Sequence, residues 1–333
     1  MVRLEQNLFA AVFANIKLVV ARHVIREAIR NNILLDDGHV FESTSGSMGL
    51  GLAFACREFG FPLTIVGDPL IDESIRPKLE ALGAHVVIVD FPLPEGGFQR
   101  ARLNKLRELM SHNHAAFWPQ QYDNPLAVKA YETVAPAIAE SVSDLEYLVA
   151  PTGTGASGTG LARALNNLGC SAHLVAVDTH YSVLFGQPDK KRLLRGLGNS
   201  IIPKNLDYSL VDQCHWVSAA EAFYMTNLLF KERLLDVGPT SGAAYIVANW
   251  LAKEYPRKKI VFTCPDSGER YWQTIYRPKW LALQGVLINE VSQQPKLVEH
   301  PNDGMEQWSY MFWRGRDIWD VVPRDLQKPN QSD

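Results

Sequence analysis

Pro151-Thr152-Gly153-Thr154-Gly155-Ala156-Ser157-Gly158-Thr159-Gly160 is a glycine-rich run between an apolar stretch, Tyr147-Leu148-Val149-Ala150, and a helix-like stretch, Leu161-Ala162-Arg163-Ala164-Leu165. A strand, a glycine turn and a helix in that order aim backbone N–H groups and the positive end of a helix dipole at one point. The run therefore reads as an anion site, with phosphate the expected anion. Gly153-x-Gly155-x-x-Gly158 also satisfies the dinucleotide fingerprint, with Asp178 ending the next apolar run. Glycine-rich turns are ordinary loop chemistry as well, so the run by itself leaves three readings open.

The rest of the chain narrows them. Its 333 residues, 47% hydrophobic, suffice for a large core and two domains. A formal net charge of −3 without long runs of one sign points away from nucleic acid and from acidic membrane surfaces, and toward a small-molecule substrate. Cys56, Cys170, Cys214 and Cys264 lack C-x-x-C spacing, which argues against a zinc site or a disulfide framework and for a reducing, cytoplasmic location. The apolar run from Leu8 to Ala14 follows Glu5 and is broken by Asn15 and Lys17, unlike a signal peptide. No other stretch approaches a membrane span.

Upstream, residues 7–30 read as a helical region, since Ile16, Val20, Val24 and Ala28 recur every four positions. Lys17 lies among Ile16, Leu18, Val19 and Val20, where a lysine is either a snorkelling surface residue or an amine whose pKa is depressed toward nucleophilic use. A strand over 40–43 runs into Thr44-Ser45-Gly46-Ser47-Met48-Gly49 and a helix to Phe59, a second cradle for an anion or a simple N-cap. Strands over 63–66, 85–89, 147–150, 174–178 and 259–263 alternate with helices over 74–82, 99–110, 126–141, 219–235 and 241–253. Gly60 and Gly83 sit where C-cap glycines are expected. Such alternation predicts an α/β protein of two domains, each with a twisted, mainly parallel sheet covered by helices. The expected division is 1–125, 126–285 and an aromatic-containing tail, 286–333, in which Trp308, Phe312, Trp313 and Trp319 should pack on the body or on a second subunit.

Four pieces stand in order: Lys17, the Thr44–Gly49 turn, the Gly153–Gly160 turn, and Cys264-Pro265-Asp266-Ser267-Gly268-Glu269-Arg270-Tyr271 after the last strand. The set resembles the fold-type II pyridoxal-phosphate enzymes, the cysteine synthase and cystathionine β-synthase family, over roughly residues 5–275. Gln120-Gln121-Tyr122, Gly196-Leu197-Gly198 and Gly238-Pro239-Thr240-Ser241-Gly242-Ala243-Ala244 are similar to three further family segments. Six motifs in order, together with Lys17, demote the dinucleotide reading.

The resemblance implies pyridoxal 5′-phosphate as cofactor, held in the cleft between the domains of a tryptophan synthase β-like fold. Lys17 would carry it covalently and act as base. Gly153, Thr154, Gly155, Ala156 and Ser157 would bind its phosphate, Ser47 its ring oxygen, and Ser267 its pyridine nitrogen, with Asp266 the rival there. Thr44, Ser45, Gly46 and Met48 would take the substrate carboxylate, with Gln121 and Gly196 nearby. A neutral hydroxyl at the nitrogen makes a shallow electron sink, which favours prompt loss of a β-substituent through an α-aminoacrylate. The implied activity is β-elimination and β-replacement on a serine-derived amino acid of the O-acetylserine or O-phosphoserine class, by a homodimer.

Departures bear on substrate identity. Phe13-Ala14-Asn15-Ile16-Lys17 replaces the family's longer lysine motif, whose preceding strand has no evident counterpart; Ser47 stands for asparagine and Ala156 for glycine. They suggest a specialised biosynthetic enzyme, and leave open a serine/threonine dehydratase or a non-catalytic binding protein. Lys190, Lys191, Arg192 and Arg195 are either a contact for a phosphate leaving group or a solvated basic face.

Overall fold

The computed structural model describes residues 1–44, 46–69, 71, 74–94 and 97–322. Ser45, an expected substrate contact, lies outside the described residues, as do residues 323–333 of the tail. The chain opens with two strands, β1 (Val2–Arg3) and β2 (Leu8–Val12). There follow α1 (Lys17–Arg30), β3 (His39–Ser43), α2 (Ser47–Phe59), β4 (Leu63–Gly67), α3 (Ile75–Ala81) and β5 (His85–Ile88). Next come α4 (Gly97–Ser111), β6 (Ala116–Phe117) and α5 (Leu126–Lys129). After α6 (Ala135–Ser141) come β7 (Leu145–Pro151), α7 (Ala156–Asn167), β8 (His173–Thr179) and β9 (Val211–Val217). The remainder is α8 (Ala219–Arg233), α9 (Pro239–Glu254), β10 (Lys259–Cys264), α10 (Pro278–Leu283), β11 (Lys296–Leu297) and β12 (Ser309–Phe312).

Two compact units result. The smaller, residues 14–131, is built on a parallel sheet ordered β5-β4-β3-β6. On one side Val20, Ala21, Val24, Ile25 and Ala28 of α1 are buried, and α1 packs on α2 at Gly51, where a Cβ would come within 2.8 Å of the Lys17 carbonyl carbon. On the other, Leu106 of α4 packs with Phe41 and Val66.

The larger unit, residues 1–13 with 132–322, holds a sheet ordered β1-β2-β10-β7-β8-β9-β12-β11. Its β2-β10-β7-β8-β9 centre is parallel. Buried on both faces, these strands run apolar without alternation: every residue from Leu148 to Pro151, Leu174 to Thr179 and Ile260 to Cys264 is buried. Among the described residues no helix is long and apolar enough to cross a membrane.

Three expectations are corrected. Residues 7–30 are not one helix: Leu8–Val12 pairs in parallel with β10, Leu8 opposite Ile260 and Val12 opposite Cys264, and burying Leu8 and Ala10 in the larger core outweighs helical periodicity. The boundary at 125 fails for the same reason, because the first 13 residues join the second unit's sheet, while 126–131 stay with the first. The helix over 126–141 is broken into α5, a 3₁₀ turn over Ala130–Thr133 and α6, which begins with Pro136 in its first turn. The tail packs on the body: β12 pairs antiparallel with β9, a strand that Asp212, Gln213 and His215 had hidden in the sequence.

Candidate active site

In the smaller unit the site grows from the start of α1. Asn15 bridges two segments: its Oδ1 accepts from the Lys17 backbone N–H at 3.0 Å, and its Nδ2 donates to the Ser47 carbonyl at 3.0 Å. Lys17 is thereby fixed against the N-terminus of α2. Burial brings its ammonium pKa down to about 8, the direction expected for a desolvated amine.

The turn before α2 is organised around its backbone. Thr44 Oγ1 accepts from the Gly46 N–H at 3.2 Å, and Gly46, in extended conformation, precedes the helix with no side-chain cap among the described residues. The first N–H groups of α2 thus keep their capacity for an acceptor. Ser47 is half-buried and accessible there, whereas the Met48 side chain is 2% exposed. Met48 would therefore meet a carboxylate through its backbone N–H, its side chain being buried. Gln121 is brought to the same turn, its Nε2 donating to the Ser43 carbonyl at 3.4 Å.

Glu42 was not marked in the sequence. It is 2% exposed; its Oε1 accepts from the Ser43 N–H at 2.8 Å and from Trp118 Nε1 at 3.0 Å. Burial pushes its carboxyl up to about 7 against those bonds and against Arg102. Nothing local distinguishes it from a solvent-facing strand acid, since its burial comes from residues 76 positions away.

In the larger unit the glycine turn leaves β7 as expected. Gly155 has φ +77°, and a Cβ there would come within 2.5 Å of Leu206. A Cβ at Gly153 would approach the Gly196 carbonyl oxygen at 3.0 Å, and one at Gly158 would meet Ala150 at 3.3 Å. The glycines thus serve a left-handed turn, a close approach of loops, and helix-on-strand packing in turn. Ala156 is 1% exposed and begins α7, where its methyl is accommodated in the core. Thr154 and Ser157 are half-buried at the mouth of the turn. α7 has no side-chain cap, so its leading N–H groups are available to an anion.

A second loop is tied to this turn. The Gly198 N–H donates to the Thr152 carbonyl at 2.8 Å, and Asn199 Nδ2 to the Gly153 carbonyl at 3.4 Å. Gly196 therefore lies beside Gly153. Thr240, at the start of α9, is 5% exposed, its hydroxyl has no hydrogen-bond partner among the described residues, and its methyl lies 3.5 Å from where a Gly196 Cβ would stand.

Ser267 follows β10, the neighbour of β7, so its loop and the glycine turn leave adjacent strands. Its Oγ accepts from the Glu269 N–H at 3.3 Å, capping a 3₁₀ turn, and it is half-buried. Asp266 is engaged elsewhere: its Oδ2 accepts from the Tyr271 hydroxyl at 2.8 Å, and its carboxylate fills the space where a Gly238 side chain would stand. Burial raises its pKa.

The basic cluster is largely spent on its own loop. Arg192 bonds Asp189 at 2.7 Å, Ser200 Oγ at 2.7 Å and the Tyr181 carbonyl, while Lys190 sits 4.6 Å from the Tyr181 ring centroid.

Residues 10–266 match the family model described as pyridoxal-phosphate dependent enzyme. Among solved structures, the chain is similar to O-acetyl serine sulfhydrylase isoform 3 from Entamoeba histolytica, at 25% identity and a TM-score of 0.75, over 86% of this chain and 89% of that one. It is also similar to an O-acetylserine dependent cystathionine beta-synthase from Helicobacter pylori, at 26% identity, TM-score 0.73, and 81% and 92% of the two chains. A hydrogen sulfide-producing enzyme from Fusobacterium nucleatum matches at 26% identity and a TM-score of 0.73, over 81% and 94%.

Proposed function

The chain belongs to the pyridoxal-phosphate dependent enzymes, and from that premise we propose that it removes a β-substituent from a serine-derived amino acid and installs a nucleophile in its place. The substrate class is O-acetylserine, as the sulfhydrylase and the O-acetylserine dependent synthase it resembles suggest by name, or its phosphate analogue O-phosphoserine. The observation that carries this reading is the Asn15 bridge, which sets a lysine of lowered pKa beside an uncapped helix N-terminus suited to a carboxylate.

The residues present fit the cofactor. Gly155 permits the left-handed turn and Gly153 the close approach of the Gly196 loop, α7 offers N–H groups without a side-chain cap for a phosphate, and the Thr240 hydroxyl, unpartnered among the described residues, stands near the same turn. When bound, pyridoxal phosphate supplies an aldehyde that condenses with amines and a ring that withdraws electrons from the bonds to Cα. The chain's contribution is placement. The neutral form of Lys17, accessible near pH 8, is competent both as nucleophile and to take a proton from the substrate Cα. The Thr44–Met48 turn would receive the substrate carboxylate and so fix which bond at Cα is broken. Ser267 would offer the ring nitrogen a neutral hydroxyl rather than a carboxylate, consistent with Asp266 being engaged by Tyr271.

The test is spectroscopic and kinetic. The purified protein should absorb near the visible edge, and Lys17→Ala should abolish that absorbance and the turnover of O-acetyl-L-serine and O-phospho-L-serine; an unchanged spectrum in the variant refutes the assignment. Ammonia and keto acid released without any acceptor would replace the proposal with a dehydratase. We read the enzyme as a homodimer, which sedimentation of the full chain would check by showing twice the chain mass.

A further inference from the structure

The C-terminal segment lies beyond residue 266, where the family match ends, yet it is joined to the loop that carries Gly196. Its β12 extends the sheet past β9, with Ser309 opposite Trp216 and Phe312 opposite Gln213. Trp313, fully buried, meets Phe185 edge-on at 4.9 Å between ring centroids and lies 5.7 Å from Tyr208. Gln187, 2% exposed, accepts from the Tyr181 N–H at 3.0 Å and donates to the Pro301 carbonyl at 2.9 Å, across 114 positions of sequence. The Tyr181 hydroxyl donates to Glu306 at 2.8 Å. Gly186, with φ +88°, leaves 3.1 Å between a notional Cβ and both Pro301 and Val321.

From there the contacts run on to the site. Ser182 Oγ accepts from the Asn199 N–H at 3.0 Å, the Val183 N–H donates to the Asn199 carbonyl at 3.0 Å, and Arg192 ties the Tyr181 carbonyl to Ser200. Gly198 and Asn199 in turn hold Thr152 and Gly153 of the glycine turn.

We propose that residues 296–322 form a strap which, through Pro301, Glu306 and Trp313, positions the 181–200 loop so that the Gly196–Gly198 turn is held in register with the phosphate loop, and so sets the affinity for the amino-acid substrate. Gln187 is the chief positioning residue; it acts through Tyr181 and Pro301. The substrate part rests on the function proposed above, and the positional part does not.

The experiment uses full-length holoenzyme. Hydrogen–deuterium exchange of amides 194–200 is followed in the wild type, Gln187→Met, Tyr181→Phe, Glu306→Ala and Glu306→Gln, alongside KM and kcat with O-acetyl-L-serine and O-phospho-L-serine. Gln187→Met should speed exchange over 194–200 about tenfold while β7 and β10 keep their protection. It should raise KM about tenfold with kcat within about twofold, a split that mere loss of folded protein does not produce. Tyr181→Phe and Glu306→Ala should move both readouts the same way by about twofold, and Glu306→Gln, which keeps an acceptor, should behave as wild type. Unchanged exchange over 194–200 in Gln187→Met overturns the strap, as does a fall in kcat at constant KM. Should Gln187→Met fail to fold, the Tyr181→Phe and Glu306 comparisons decide by the same criteria. If the wild type turns over neither ester, the proposed function falls, and exchange alone decides the strap.

Discussion

At the scale of single residues, the glycines were legible because a glycine-rich turn between a strand and a helix is a local pattern, although the neighbours they make room for, Leu206 and Gly196, lie far along the chain. Gly155 must adopt a left-handed φ of +77° against Leu206, so Gly155→Ala should cost roughly 2–4 kcal/mol from strain and collision together. Urea denaturation and cofactor titration check it, with weaker cofactor binding expected as well. Ala156→Gly, one position on, should cost about 0.5–1 kcal/mol from helix propensity alone and leave cofactor binding intact. Equal effects at the two positions would contradict the geometry. The apolar neighbours of Lys17 left both a snorkelling residue and a depressed amine open, and Asn15, which holds it to Ser47, was not legible at all: an asparagine before a helix has several uses, and only the approach of α2 selects this one.

At the scale of elements, the central strands and their helices matched the sequence because runs buried on both faces are apolar throughout. The N-terminal segment misled for a physical reason. Leu8-Phe9-Ala10-Ala11-Val12 is short and apolar, and periodicity does not separate a buried strand from the edge of a helix. Its place beside β10 makes a sharp expectation: Leu8 is fully buried in the larger core, so Leu8→Ala should destabilise the protein by roughly 2–5 kcal/mol in chemical denaturation. A loss under about 0.5 kcal/mol, the usual size for a surface position, would place the segment outside the sheet. Strands β9 and β12 escaped notice together, since each supplies what the other needs. Gln213 and His215 tolerate burial where the tail covers them, His215 accepting from Trp308 Nε1 at 3.3 Å.

At the scale of the whole molecule, buried ionisable groups set the pH dependence of stability. Burial pushes Glu42 and Asp178 up to about 7 each, so both bind protons more tightly folded than unfolded. The stability they contribute is complete below about pH 4 and is lost as pH rises through about 7, roughly 1.4 kcal/mol per group between pH 6 and 8. Lys17, brought down to about 8, has the opposite sign: its penalty is relieved as pH climbs from about 8 toward the ordinary lysine value. Urea unfolding of the cofactor-free protein should therefore show lower stability at pH 8 than at pH 6. Glu42→Gln, which keeps an acceptor for Trp118 and Ser43, should lose less over that interval than the wild type, and an equal loss would refute the assignment to Glu42.

The sequence by itself determined the α/β architecture with two parallel-rich sheets, the glycine turn between β7 and α7, and the family, because spacing, glycine placement and apolar runs are properties of neighbouring residues. The tertiary structure decided that the first strand belongs to the second unit's sheet, that Met48 turns into the core, that Glu42 is buried under Trp118, and that the tail grips the loop bearing Gly196. Those are matters of what covers what. Desolvation and long-range hydrogen bonds arise only when segments distant in the chain are packed together, and no local pattern of residue types encodes them.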